Sequence, residues 1–165
     1  MDKGKPVSVF DVAAYILGKQ PKKQPITAWK LQKLVYYCQA WSLVWDEQPL
    51  FKEKILAWAN GPVVKQLYAE HQGLFHVKEC AQGNPHNLSK KQKANIDEVL
   101  GFYGDKTGQF LSDLTHMEQP WILARTGLQP GEPGETEISL ASMLEFYAGV
   151  QSSYQAKVNN LFSRD

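Results

Sequence analysis

Apolar residues recur along this chain at spacings of three and four, the period of a helix buried on one side, and they do so in several separate blocks. In the first, Val12, Ala13, Ile16 and Leu17 make one stripe behind Ser8, which serves as helix cap while Val7 and Val12 form a hydrophobic staple; Gly18 ends the helix. The second block is the most apolar. After Ile26 and a Thr27 cap, Leu31, Leu34, Val35, Cys38, Trp41 and Trp45 share a face, and Trp29, Tyr36 and Tyr37 extend the apolar surface beyond it. This pattern predicts a central helix with neighbours on more than one side. A capping box of Ser89 and Gln92 precedes Ile96, Val99, Leu100 and Tyr103, with Gly104 as the stop. Shorter helices carry Phe110, Leu111 and Leu114, and then Pro120 and Trp121 up to Gly127. A last one, capped by Ser139 and stapled by Ile138 and Met143, continues through Leu144, Tyr147, Tyr154, Val158 and Leu161.

The interruptions are as informative as the stripes. KQPKKQP reads as a solvated connector, and LFKEKILAWAN, with partial alternation at Phe51, Glu53, Ile55 and Ala57, as a minor strand or hairpin. In NGPVVKQLYAEHQG, Gly61 and Pro62 are expected to open a helix that Gly73 closes, with Val63, Val64, Leu67 and Tyr68 facing the core. Residues 74–88 read as a loop with a little extended structure, and LQPGEPGETE as an exposed turn. The expected architecture is mainly α: one compact domain over residues 1–165, about seven or eight helices and a minor β-hairpin, with no internal repeat.

Composition supports a self-sufficient core, since 43% of the 165 residues are hydrophobic. The formal charge is only +1, so no overall field draws the chain to nucleic acid or anionic lipid. Two separated cysteines, an N-terminal stretch unlike a secretory signal and the lack of a long apolar run point to the cytoplasm, with no membrane span.

The search for chemistry returns little. His71, His76 and Cys80 are the nearest approach to a metal site, but the histidines stand five apart and lack a fourth ligand, so no metal is expected. Cys38 sits on the most apolar face and reads as a small buried hydrophobe. Ser112 and His116, four apart with Asp113 and Glu118 nearby, form the best polar constellation, yet such groups at a helix end ordinarily serve as caps and dipole partners. Neither phosphate-binding glycine motif occurs, and no cofactor is implied. Lys19, Lys22 and Lys23, then Lys90, Lys91 and Lys93, are too small a basic footprint to favour DNA, although a helical domain is compatible with a helix-turn-helix.

The ordered segments SVFDVAAYIL, ITAWKLQKLVYYCQAWSLVW, PLFKEKILAWANGPVVKQLY, LTHMEQPWILAR and ISLASMLEFY resemble the Panacea domain, met as SocA-like antitoxins and phage-associated GepA-like proteins. The most specific parts are KLQKLVYY (30–37) and AWANGPVV (57–64), with LTH and its downstream tryptophan (114–121) in matching order. The resemblance implies a small helical fold with a minor β element, no catalytic residues, and a non-enzymatic antitoxin that binds and neutralises a cognate protein toxin encoded next to it. Toxins paired with this family are of several unrelated kinds. The candidate toxin-binding residues are Trp58, Asn60, Gly61, Pro62, Val63, Lys65, Tyr68, His116 and Trp121, on the expectation that a Gly-Pro helix start offers free N–H groups and that Trp58 and Tyr68 supply aromatic anchors. The competing account makes Trp58 core and leaves Gly61 and Pro62 only to turn the chain. A DNA-binding phage or operon regulator and an adaptor delivering a target to a protease are the alternative functions, and a homo-oligomer is a further possible assembly.

Overall fold

A helix that is apolar on every side has to be wrapped, and α2 (Ala28–Trp45) is wrapped. In the computed structural model, which describes residues 5–21 and 24–162, α2 carries Leu31, Leu34, Val35, Tyr36, Tyr37, Cys38 and Ala40 into the core along with Gln32, Lys33 and Gln39. Its other helical companions are α1 (Val9–Gly18), α3 (Lys65–Glu70), α4 (Lys90–Tyr103), α5 (Gly108–His116), α6 (Gln119–Ala124) and α7 (Leu140–Phe162), with a one-turn 3-10 helix at Pro85–Asn87. Helices α1, α3, α4, α5 and α7 pack directly on α2, while α6 packs between α5 and α7. The protein is mainly α, as the periodicity implies. Four short strands complete it: β1 (Ile26–Thr27) pairs antiparallel with β4 (His76–Val77), and β2 (Leu56–Trp58) with β3 (Gly61–Val63).

The helix starts lie where the capping residues place them. Ser8 and Ser89 both form reciprocal capping boxes, with Asp11 and Gln92 as the returning side chains. Asp11 also accepts from Asn84 N at 2.8 Å, which ties the long loop before α4 onto α1. Lys22 and Lys23 of the first lysine cluster lie outside the described residues.

The segment at Gly61 corrects the sequence expectation. Gly61 and Pro62 open no helix; they begin β3, and the helix starts only at Lys65. The physical reason comes from α2, far away in sequence. The Gln32 amide acts as a substitute strand for Val64, accepting from its N at 2.9 Å and donating to its O at 3.1 Å. Lys33 Nζ donates to Pro62 O at 3.1 Å. With these partners, the backbone from Pro62 to Val64 is satisfied in an extended form. Tyr68 is another correction: it is exposed, whereas Val63, Val64 and Leu67 are buried as expected.

Seven residues along from Gln32, on the same face of α2, Gln39 repeats the device. Its Oε1 accepts from Leu50 N at 2.7 Å and Phe51 N at 3.2 Å, and its Nε2 donates to Phe51 O at 2.9 Å. The two amides thus fasten both ends of the segment that contains the hairpin. The LQPGEPGETE turn is fastened too. Buried Arg125 donates to Ala57 O at 3.0 Å and to the carbonyls of Gln129 and Glu132, and the chain then lies along β2 through Ala57 N to Thr136 O at 2.8 Å.

At the far end of α2, Tyr36, Tyr37, Trp41, Tyr103 and Tyr147 form an aromatic cluster, with Tyr37 stacked on Tyr103 at 4.0 Å between centroids. Glu118 closes it, accepting from Tyr37 at 2.6 Å and Tyr147 at 3.0 Å. Burial raises the Glu118 carboxyl above the ordinary carboxylate range, and the two hydroxyls act the other way. Helix α7 is anchored here through Met143 and Tyr147, and none of residues 148–162 is buried.

Gln39→Ala is expected to lower unfolding free energy by about 2–4 kcal/mol, because three buried backbone groups lose their partners at once. Gln155→Ala, on exposed α7, should stay within about 0.5 kcal/mol. Urea denaturation with unchanged slope measures both.

Candidate functional site

The three segments that carry the sequence resemblance lie far apart in the chain and meet at the turn of the β2–β3 hairpin. From the first come Gln32 and Lys33, bound to Val64 and Pro62. The second is the hairpin itself. From the third, Trp121 Nε1 donates to Trp58 O at 2.9 Å and His116 stacks on Trp121 at 4.1 Å, and just ahead of that segment Ser112 Oγ donates to Asn60 O. Of the candidate residues, Trp58, Asn60, Gly61, Pro62, His116 and Trp121 therefore form one cluster. Tyr68 joins it through an edge contact with Trp58 at 5.1 Å. Val63 is buried in the hairpin, and Lys65 points elsewhere, pairing with Glu135 at 3.6 Å on the surface.

Several sequence expectations change with this geometry. Val64 N is satisfied by Gln32, so the free N–H groups of a Gly-Pro helix start do not exist. Ser112 is committed to the Asn60 carbonyl rather than to His116. The His116 ring is held by Trp121 on one side, and its Nε2 is buried without a partner among the described residues. Burial, with the Lys33 and Arg125 charges, lowers the His116 pKa, against the pull of Asp113 and a bond to the Asn60 backbone. His71 Nε2 lies 3.1 Å from Glu79 O, and among the described residues no group of histidines, cysteines and acids could hold a metal ion. Cys38 is buried as expected, and burial raises its thiol pKa steeply.

Lys33 is the buried charged group that sequence reasoning passed over. It lies on the apolar face of α2 with no exposed surface, and burial alone pulls its ammonium down from 10.5 to about 7. No carboxylate among the described residues pairs with it. Its Nζ sits 5.8 Å from the centre of the Trp29 ring. Gly61 makes room for it: a Cβ there would come 2.5 Å from Lys33 Cε, and the glycine holds φ +123°. The available signal was Lys33 with Gln32 and Gln39 in the stretch 31–41, whose other residues are apolar or aromatic and leave no polar face to receive them.

Beside this cluster opens a groove of about 760 Å³. Trp29, Trp58, Tyr68 and Phe75 wall it with aromatic surface, Lys33 lies at its base, and none of its lining residues is acidic. Leu74 and Phe75 stand at its rim, 57% and 74% exposed. The arrangement suits a bound segment with apolar side chains; it presents no nucleophile with an adjoining base.

Two tests address the cluster. An unfolded chain keeps the Lys33 proton up to pH 10.5 whereas the folded chain releases it near 7, so stability rises with pH between these limits. From about pH 9 the raised thiols of Cys38 and Cys80 oppose the rise, because the folded state then holds the extra protons. The urea midpoint should climb between pH 7 and 9, and Lys33→Met should flatten most of that slope, leaving the smaller part due to partly buried Lys30. Gly61→Ala should cost about 1–3 kcal/mol through dihedral strain and collision, and more than Gly73→Ala, where φ is +86° but no atom lies within 4 Å.

Comparison with known proteins gave one family match, to "Antitoxin SocA-like, Panacea domain" over residues 31–122, more than half of the chain. The curated proteins and the solved structures gave no match. The matched stretch runs from the helix that bears Lys33 through the hairpin to Trp121 and its neighbour, so it encloses every candidate residue. On that match, this chain belongs to the SocA-like antitoxin, Panacea-domain family.

Proposed function

We propose that this chain is a non-enzymatic antitoxin that neutralises a cognate protein toxin, encoded beside it, by direct binding through the groove next to the β2–β3 hairpin. Membership of an antitoxin family supports a protein partner. The observation that carries the placement is the concentration of exposed apolar side chains at one groove: Trp29, Tyr68, Leu74 and Phe75 are 37–74% exposed there, beside half-buried Trp58. Aromatic anchors around a concave surface are what protein interfaces favour. The rigid part of the site is the hairpin, pinned by Gln32, Lys33, Ser112, Trp121 and Arg125; the rim residues do the touching. No described helix is long and apolar enough to cross a membrane.

Co-expression with the product of the adjacent gene should rescue growth and yield a complex that survives gel filtration. The double variant Tyr68→Ala, Phe75→Ala should weaken that complex at least tenfold, with only a small fall in melting temperature because Phe75 is 74% exposed and Tyr68 45%, the latter giving up its edge contact with Trp58. A neighbouring product that is harmless alone, or no complex with the intact chain, defeats the proposal.

A further inference from the structure

A buried ammonium is costly, and a single backbone carbonyl does not call for one. Next to Lys33 in sequence, Gln32 satisfies backbone groups of the same strand region with a neutral amide. Lys33 instead places a cation at the base of an aromatic-walled groove, with one acceptor among the described residues, Pro62 O at 3.1 Å, for its three donors. The only other side chains in the lining that titrate are Tyr68 and His71, so no acid of the groove offsets the charge. A second donor in the same lining is unspent: Trp58 Nε1 is buried and has no hydrogen-bond partner among the described residues. An unmet indole donor and a cation with no acid beside it, at one groove, define a complement, an anionic acceptor flanked by apolar surface.

We infer that the groove takes an extended segment of the partner protein bearing an Asp, Glu or terminal carboxylate between apolar side chains, with the carboxylate paired to Lys33 and the apolar flanks packed on Trp29, Trp58, Tyr68 and Phe75. This rests on the antitoxin reading above and adds the chemistry of the partner. The carboxylate reaches Lys33 past the Trp29 ring. That ring lies over the ammonium, belongs to a 37% exposed residue, and is held by no hydrogen bond among the described residues, so entry of the carboxylate requires the ring to turn aside. Pairing in the desolvated groove restores the ammonium that burial disfavours, which makes acid against amide the feature read most strictly.

The test uses the full chain and an array of random hexapeptides containing matched Glu/Gln and Asp/Asn pairs, with the strongest binders remade for calorimetry. The expected binders carry an acid beside aromatic or branched apolar residues. Glu→Gln in those peptides weakens binding at least tenfold for the wild type, the range of a charge-assisted bond. The variant Lys33→Met keeps the apolar contacts and loses the discrimination between acid and amide. Absence of any binder, no enrichment of acids, or an acid preference that survives in Lys33→Met overturns the inference; the wild-type Glu/Gln comparison stands even where the variant is poorly folded. Toxin binding by the wild type is measured in parallel. A toxin complex that forms while the peptides show no acid preference removes this inference alone, and acid-selective peptide binding without a toxin complex removes the antitoxin reading alone.

Discussion

The structure depends on one constraint: α2 is buried on all sides, yet it is not purely apolar. A polar side chain on such a helix must find its partner inside the protein. Gln32, Lys33 and Gln39 find theirs in the backbone of residues 50–64, so the short strands there are held by side chains of a helix as much as by each other. A three-residue hairpin is marginal alone. Here each end is tied to the central helix, and its outer edge is covered by the chain that Arg125 folds back. The hairpin turn consequently presents Trp58 and Asn60 from a fixed platform, and the groove inherits that rigidity.

Much of the fold was legible. The caps at Ser8, Thr27 and Ser89 state their role within four residues, and stripes such as Ile96, Val99, Leu100 and Tyr103 state theirs within two turns, so α1, α2, α4 and α7 were readable from local pattern. Gly61 and Pro62 were not. Gly-Pro-Val-Val fits a helix start and a strand about equally by local preference, and the decision is made by Gln32 and Lys33, some thirty positions away. Strand β1 was hidden for a related reason: its two residues were read as the lead-in to the α2 cap, and only the return of His76 and Val77 pairs them.

The candidate site was legible in its membership more than in its mechanics. The hairpin residues, His116 and Trp121 were candidates one by one, and what brings them together is contacts with Asn60 and Trp58 that no spacing reveals. Leu74 and Phe75 were assigned to a loop with a little extended structure, and their role at a groove stayed hidden because exposure of apolar residues has no period. Lys33 was read through as part of an apolar helix, since a lone charge in such a stripe looks like a solvated edge until the opposite side is known to be covered.

Helix α7 has a consequence of its own. Its first turns are fixed by Met143 and Tyr147, while beyond them the helix touches the body at few points, among them the Trp45 indole bound to Gln151 Oε1 at 2.8 Å. Its distal sequence, GVQSSYQAKVNNLF, contains serines, asparagines, valines and a glycine, which are weak helix formers. Such a stretch cannot nucleate unaided; it propagates from a first turn that tertiary packing has already set. The aromatic cluster around Glu118 therefore acts at a distance, as the seed from which about fifteen residues of sparsely supported helix grow.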